Sequence, residues 1–428
     1  MKGPPNCDPS WKKLLGVAAL SSGLAVFIVR NFFETEKKIK CPIRADYAAG
    51  DDVFVRTMGQ LLGPPLVAGN RITILQNGDE IFPAMLEGIR SARRTITFEN
   101  FLLKEGEVWS EFAQALAERA SAGVKVHFLQ DAFGSDCLRG REMKLLKRSG
   151  VEVEIFRFYQ LGQINYRTHR KLLTIDGAIG FIGGVGISDD WRGDGKTQGW
   201  WRDSHYRVEG PVAAQVQQAF MDNWMQTRAA VLHGDAYFPK LNEVGTEKSQ
   251  VFKSSINEGA DSARLMLLLS IAAARKHIRI ANAYFIPDDL CLQTLVEVCQ
   301  RGVKLEIIVP GPDIDAKLVR SVGKMRWPRL LKAGAEFYEY QPARFHCKYM
   351  IVDDCWSTVG SANFDNRSLR LNEEANLNVL DEGFAAKHTR IFEEDKSHSR
   401  RVTLADWRRR PLAEKIRGAA GLILRSQM

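Results

Sequence analysis

The chain has 428 residues, of which 45% are hydrophobic and 26% charged, with a formal net charge of +9. This length can hold two ordinary domains, and the composition excludes a disordered or collagen-like polymer, while the basic balance favours a polyanionic partner, either nucleic acid or an anionic membrane surface. The seven cysteines are odd in number and form no CxxC pair, which indicates neither a disulfide framework nor a thiolate zinc site and favours reduced thiols.

Residues 1–40 are expected to form an N-terminal membrane anchor. No charge occurs from Leu14 to Val29, and Trp11, Phe32 and Phe33 extend the apolar character. The run is slightly short of the roughly 20 residues that cross a bilayer. No small-residue cleavage site follows it, so an uncleaved membrane helix is the expectation and a signal peptide the alternative. Lys12 and Lys13 precede the run, and Lys37, Lys38, Lys40 and Arg44 follow it, which tilts the positive-inside rule toward a cytoplasmic body.

The rest of the chain reads twice. Residues 92–130 and 273–309 each give a basic turn, a β-like run, a loop, an amphipathic helix, a glycine and a second strand. Gly123 and Gly302 stand where a helix takes a left-handed C-terminal cap. Val124, Val126 and Phe128 alternate with polar residues, as do Val303, Leu305 and Ile307. LLKRSGVEVEIF (145–156) then matches RLLKAGAEFYEY (329–340), and a histidine-containing segment follows each. The pattern predicts an α/β fold of two tandem βαβαβ repeats, at 67–232 and 250–400, with mixed sheets covered by helices. Residues 405–428 end in a stretch where Leu412, Ile416, Ala419 and Ile423 recur at helical spacing, with Lys415, Arg417 and Arg425 on other faces and Pro411 suited to a first turn. A basic amphipathic helix of this kind reads as a membrane-associated tail.

The sharpest signal is H-x-K-x4-D, present as His169, Lys171 and Asp176 and again as His346, Lys348 and Asp353. Residues i and i+2 of a strand share a face, so each histidine projects with its lysine. An imidazole beside an ammonium suits a phosphate, the first as nucleophile or proton carrier and the second neutralising charge. Two copies at equivalent points of a duplicated unit make a surface accident a poor explanation.

These residues resemble the paired signature of the phospholipase D superfamily, H-x-K-x4-D-x6-G-S-x-N. The second copy fits throughout, with Gly360, Ser361 and Asn363; the first has Gly183, Gly184 and Gly186 at those places, so the two half-sites are expected to be unequal. NGDEIFPAMLEGI (77–89), WRDSHYRVEGPVAAQVQQAF (201–220), AYFIPDDL (283–290) and GSANFDNRSLRLNEEANL (360–377) are similar to bacterial cardiolipin synthases within that superfamily. The resemblance implies two phospholipase D-like repeats about a pseudo-two-fold axis, with one phosphate between His169 and His346. By that resemblance His169 is the nucleophile and His346 the acid and then the base. Lys171, Lys348, Ser361 and Asn363 would hold phosphate oxygens, and Asp203 and Glu374 would orient the imidazoles. Asp176 and Asp353 complete the catalytic motif, with a geometric role favoured over proton transfer.

The implied reaction moves a phosphatidyl group between phospholipids, two phosphatidylglycerols giving cardiolipin and glycerol, with phosphatidylethanolamine a second candidate donor. It implies no cofactor, and no metal-ligand spacing is visible. The expected partners are phospholipid and membrane rather than nucleic acid, in a monomer or dimer at the cell inner membrane with the body on its cytoplasmic side. A phospholipase D-type phosphodiesterase (lipid hydrolase or nuclease) and a non-catalytic lipid-binding scaffold are the alternatives.

Overall fold

The computed structural model describes residues 10–32, 39–156, 165–255, 262–423 and 428. Two helices lead in, α1 (Ser10–Phe32) and α2 (Asp52–Leu62). The first repeat runs through β1 (Val67–Gln76), α3 (Asn77–Ser91), β2 (Thr95–Asn100), α4 (Glu107–Ser121), β3 (Lys125–Asp131), α5 (Arg141–Arg148) and β4 (Glu152–Phe156). It continues with β5 (Arg167–Thr168), β6 (Leu172–Ile175), β7 (Ile179–Gly183), β8 (Trp201–Arg202), β9 (Ser204–Glu209) and α6 (Ala213–Arg228). The second follows the same course through β10 (Glu247–Ser254), α7 (Ser262–Ala272), β11 (His277–Asn282), α8 (Asp289–Gln300), β12 (Lys304–Pro310), α9 (Lys317–Lys324), α10 (Trp327–Lys332) and β13 (Glu336–Tyr340). Then come β14 (Arg344–Phe345), β15 (Lys348–Val352), β16 (Trp356–Gly360), α11 (Asn366–Arg370), β17 (Asn372–Leu380), α12 (Glu382–Ser397), β18 (Ser399–Val402), α13 (Leu404–Arg408) and α14 (Leu412–Gly421).

In each repeat three strands run parallel, β2–β3–β4 and β11–β12–β13, and the neighbours β6 and β15 run antiparallel to β2 and β11. The short helical crossovers dictate this pattern, since parallel strands need a covering helix between them. The expected caps are present, with φ of +91° at Gly123 and +92° at Gly302. The two sheets are not merely packed together: β1 pairs with β10, joining them into one continuous sheet. Alternate residues serve its two faces. Leu173 and Ile175 of β6 meet α3 and α4 in one core, and Met350 and Val352 of β15 meet α7 and α8 in its counterpart. Leu172, Tyr349 and Ile351 point the other way, into a core shared by both repeats under α6 and α12.

The N-terminal segment departs from expectation. α1 spans 23 residues, but among the described residues no helix is long and apolar enough to cross a membrane. The uncharged stretch ends at Val29, short of a bilayer's hydrocarbon thickness, and Lys12, Lys13 and Arg30 fall inside the helix. The expected transmembrane helix is therefore corrected to a helix with exposed apolar residues, among them Leu15, Leu20 and Val26. Residues 1–9 and 33–38 of the expected anchor, Cys7 included, and Arg425 of the tail lie outside the described residues.

Candidate active site

Three two-residue strands, β5, β8 and β14, build the centre by crossing between repeats. β5 of the first repeat pairs with β17 of the second, and β14 of the second pairs with β8 of the first. The residue after β5 and after β14 is a histidine, and it continues the crossing: the His169 N–H donates to the Glu373 carbonyl and the His346 N–H to the Arg202 carbonyl, both at 2.8 Å. The next residue along each receiving strand is a carboxylate. His169 Nδ1 therefore lies 3.0 Å from both oxygens of Glu374, and His346 Nδ1 lies 2.7 Å from Asp203 Oδ2. Each imidazole is oriented by the opposite repeat.

All four groups are buried. Burial pushes the His169 imidazole down to about 4 against the opposing pull of Glu374, and burial with the nearby Lys348 charge also pushes His346 down. Burial alone would raise both carboxyls, but His169 and Lys171 hold Glu374 below its ordinary value, and Lys348 and His346 do so for Asp203. Two neutral imidazoles thus rest on two carboxylates, with the Nδ1–H directed at each carboxylate and Nε2 presented to a ligand. Lys171 is brought down to about 7 by burial, helped by Lys348 and opposed by Glu374, and Lys348 is lowered by burial. Lys171 Nζ donates to the His169 carbonyl and Lys348 Nζ to the His346 carbonyl, each at 2.6 Å.

The surroundings of the two imidazoles differ. Lys348 Nζ also reaches His346 Nε2 at 3.1 Å, whereas among the described residues Nε2 of His169 has no hydrogen-bond partner. Phe101 packs edge-on to His169 at 5.0 Å, and Trp191, Trp201 and Tyr284 surround His346. Glu374 is braced by the Ser361 hydroxyl, which donates to Oε2 at 2.5 Å. At the matching place in the first repeat stands Gly184, where an added β-carbon would lie 2.5 Å from Asp203 Oδ1. The serine is thus excluded by the carboxylate's position, and the indole N–H of Trp191 donates to Asp203 instead, at 3.1 Å. Ser361, expected to hold phosphate, is turned to this supporting bond, while Asn363 is buried with its Oδ1 unpartnered.

Asp176 and Asp353 are not brought to the histidines. Each lies just beyond the far end of its strand, in the left-handed region with φ of +52° and +51°. The Asp176 carboxylate accepts from the N–H groups of Arg93, Arg94 and Thr95, and that of Asp353 from Arg275, Lys276 and His277. They tie the turns entering β2 and β11 to the histidine-bearing strands, so their catalytic assignment is corrected to a structural one.

Arg170, between His169 and Lys171, escaped the motif reading. It points to the opposite face of the sheet, wholly buried, and joins the repeats through Glu373 at 3.1 Å, Asp222 at 3.3 Å and the Ala219 and Ser254 carbonyls. In the opposite crossing Cys347 stands at the matching place after His346, and the buried cation is Arg202 on the receiving strand, held by Asp395. A charge at the inward parity of an apolar strand was the available signal for Arg170. His205 lies buried against Gly183, its ring nitrogens unpartnered, and burial lowers it to about 3.

The family model described as "Cardiolipin synthase, PLD-like domain" matches residues 85–193 and 267–396, one stretch for each repeat. The chain belongs to the phospholipase D-like cardiolipin synthase family. Cardiolipin synthase A of Pseudomonas putida is 31% identical over 356 residues, covering 82% of this chain and 74% of the relative. Cardiolipin synthase 1 of Bacillus cereus is 33% identical over 367 residues, covering 83% and 72%. Among solved structures, a phosphatidylserine synthase from Haemophilus influenzae superposes with a TM-score of 0.68 at 13% identity over 88% of this chain and 100% of its own. A polyphosphate kinase from Porphyromonas gingivalis gives a TM-score of 0.54 at 11% identity over 93% and 58%. At those identities the two structures speak for the shared fold alone.

Proposed function

We infer that this protein is a cardiolipin synthase, a phosphatidyltransferase of the phospholipase D type. The observation that carries the mechanism is the crossed pair of imidazole–carboxylate contacts. It leaves two Nε2 atoms to act on one phosphorus at the junction of the repeats, taken as 67–232 and 250–400. His169 Nε2, free of hydrogen bonds and on a neutral ring, is the nucleophile. It attacks the phosphorus of phosphatidylglycerol, a P–N bond forms and the P–O bond to glycerol breaks; His346, which takes up a proton at Nε2 from solvent as the anionic phosphate binds and becomes an imidazolium held by Asp203, gives that proton to the departing alkoxide. His346 then takes the proton of a second phosphatidylglycerol's hydroxyl, whose oxygen displaces His169 and yields cardiolipin. Lys171, Lys348 and Asn363 stabilise the non-bridging oxygens, for which the two ammonium groups must leave their strand carbonyls. Phosphatidylethanolamine as donor fits the same site, since the headgroup leaves as an alcohol.

The exposed apolar residues of α1 and the basic tail at 405–428 support membrane association, with the inner membrane and its cytoplasmic face as the location. One chain supplies both histidines, so this chemistry needs no second copy. Purified protein with labelled phosphatidylglycerol tests the reading. Cardiolipin and glycerol should appear with wild type and be lost with His169→Ala and His346→Ala. Phosphatidic acid as the only product would make the protein a hydrolase, and no turnover of any phospholipid would overturn the enzyme reading.

A further inference from the structure

α14 lies tightly on α9 through its glycines. A β-carbon at Gly418 would meet the Ser321 carbonyl at 2.7 Å, and one at Gly421 would meet Val322 Cγ2 at 2.5 Å. With that side buried, the outer side carries Leu412 and Ile416, followed by Ile423, which are 71%, 60% and 84% exposed. A row of large aliphatic side chains held in water by a docked helix marks an interaction surface.

Next to this row, between α9, β18, α13 and α14, is a cavity of about 450 Å³ lined by Arg320, Lys324, Arg400, Arg409, Arg410 and Trp407. Its acidic lining is Glu339, Asp406 and Glu414, so cations outnumber carboxylates. Glu339 is already engaged by Arg320 at 2.5 Å, Lys324 at 2.9 Å and Arg400 at 2.6 Å, and Asp406 closes the cap of α13 on Thr403. Arg410 is left short. Its side chain is only 7% exposed; Nε donates to the Trp407 carbonyl at 2.9 Å, and the guanidinium lies 4.4 Å over the Trp407 ring. Nη1 has no hydrogen-bond partner, with the Glu414 carboxylate no nearer than 3.7 Å. A buried cation with an unused donor is stabilised by an anion that enters the cavity.

We propose that this cavity takes the phosphate of an anionic phospholipid while Leu412, Ile416 and Ile423 enter the acyl region, docking the second repeat on an anionic bilayer. Free phosphate would answer the cations alone; a lipid surface answers the cations and the apolar row, which share α14. The position suits the chemistry. Asp315, two residues before α9, accepts from the Tyr284 hydroxyl at 2.5 Å, and the Tyr284 ring faces His346 at 6.1 Å. Docking therefore sets the bilayer beside the element that borders the reacting imidazole. The inference rests on the phospholipid-enzyme reading only for the choice of ligand.

Vesicle flotation of the full chain tests it, using phosphatidylcholine vesicles with and without phosphatidylglycerol at low salt and at about 0.5 M salt. Wild type should bind the anionic vesicles more tightly than the neutral ones, on which only the exposed apolar side chains act. Arg410→Gln should weaken binding about tenfold or more, with the deficit persisting at high salt because a buried pair is poorly screened. Arg417→Gln removes an exposed charge of the same helix outside the cavity; it should cost about fivefold at most and nothing at high salt. Arg409→Gln, at the exposed rim, replaces Arg410→Gln in the comparison if the thermal midpoint shows that the buried variant does not fold. Wild-type binding to neutral vesicles alike, or equal losses in cavity and control variants that both vanish in salt, would overturn the proposal. Cardiolipin formation in detergent is read separately, so its absence would count against the transferase reading and leave the binding comparison standing.

Discussion

The two half-sites share a backbone and differ in how each carboxylate is supported. In one, a glutamate grips His169 through both oxygens and is braced by the Ser361 hydroxyl; in the other, an aspartate grips His346 through one oxygen and is braced by the Trp191 indole. Gly184 is therefore a fitted element and not a decayed serine, because Asp203 occupies the space that a side chain there would need. Duplication supplied two equal imidazoles, and divergence behind the carboxylates left one Nε2 open and the other beside an ammonium group. The proposed division of labour between nucleophile and proton carrier rests on that difference.

The largest effects should come from the imidazoles. His169→Ala should remove transfer to background, since no P–N bond can form, while His346→Ala should lower kcat by about 10²–10⁴ and be partly relieved when the leaving group is a good one. A series of donors with graded leaving groups, assayed for turnover, checks this; equal rescue of both variants would erase the asymmetry.

The supports come next. Gly184→Ser should displace Asp203 and cost about 10²-fold in kcat. Trp191→Phe and Ser361→Ala each remove one hydrogen bond to a buried carboxylate and should cost roughly tenfold to 100-fold. Steady-state kinetics on each variant checks this. The double variant Trp191→Phe/Ser361→Ala should fall short of the product if both carboxylates serve one phosphate.

The pH profile sharpens the comparison further. His169 must be neutral to attack, and with a value of about 4 it stays so through the neutral range; activity should be lost only as pH falls toward 4. Lys171 must be charged, and with a value of about 7 it loses its proton as pH rises through 7. The kcat/KM profile of the free enzyme should therefore be a bell, with macroscopic limbs belonging to the coupled site. Lys171→Arg keeps its charge and should move the alkaline limb upward, at a cost in rate from changed geometry.

The smallest catalytic effect should come from the aspartates of the motif. Asp176→Ala removes acceptors for three backbone N–H groups and should destabilise the fold by about 2–3 kcal/mol. Turnover by the folded fraction should change little. Denaturant titration beside kcat measures the two separately.

Much of this was legible in the sequence. The repeated course of strands and helices, the H-x-K pairs and the identities of Asp203 and Glu374 all stand in it. Which carboxylate serves which histidine was not, because β5, β8 and β14 are two residues long and carry no hydrophobic period, and Glu374 lies 205 positions from its partner. Trp191 ends a 3-10 turn (Asp189–Trp191) eight residues after Gly183, and the matching place eight residues after Gly360 is held by Ser368 in α11, so duplication gave no pointer to an indole there. The motif implies Ser361 as a phosphate ligand because it names residue types and not the direction in which a hydroxyl points, and here that hydroxyl points to Glu374. The apolar N-terminal run forms the helix α1, but among the described residues no helix is long and apolar enough to cross a membrane.

The most direct test of the division of labour is to trap the covalent intermediate. His346→Ala protein, incubated with phosphatidylglycerol labelled in its phosphatidyl group and quenched under alkaline conditions that preserve phosphohistidine, is digested and its peptides mapped. Label on the peptide carrying His169, with none in a His169→Ala control, is the expected result. Label on His346 in the His169→Ala protein would contradict it, and with it the claim that the two half-sites have diverged into nucleophile and proton carrier.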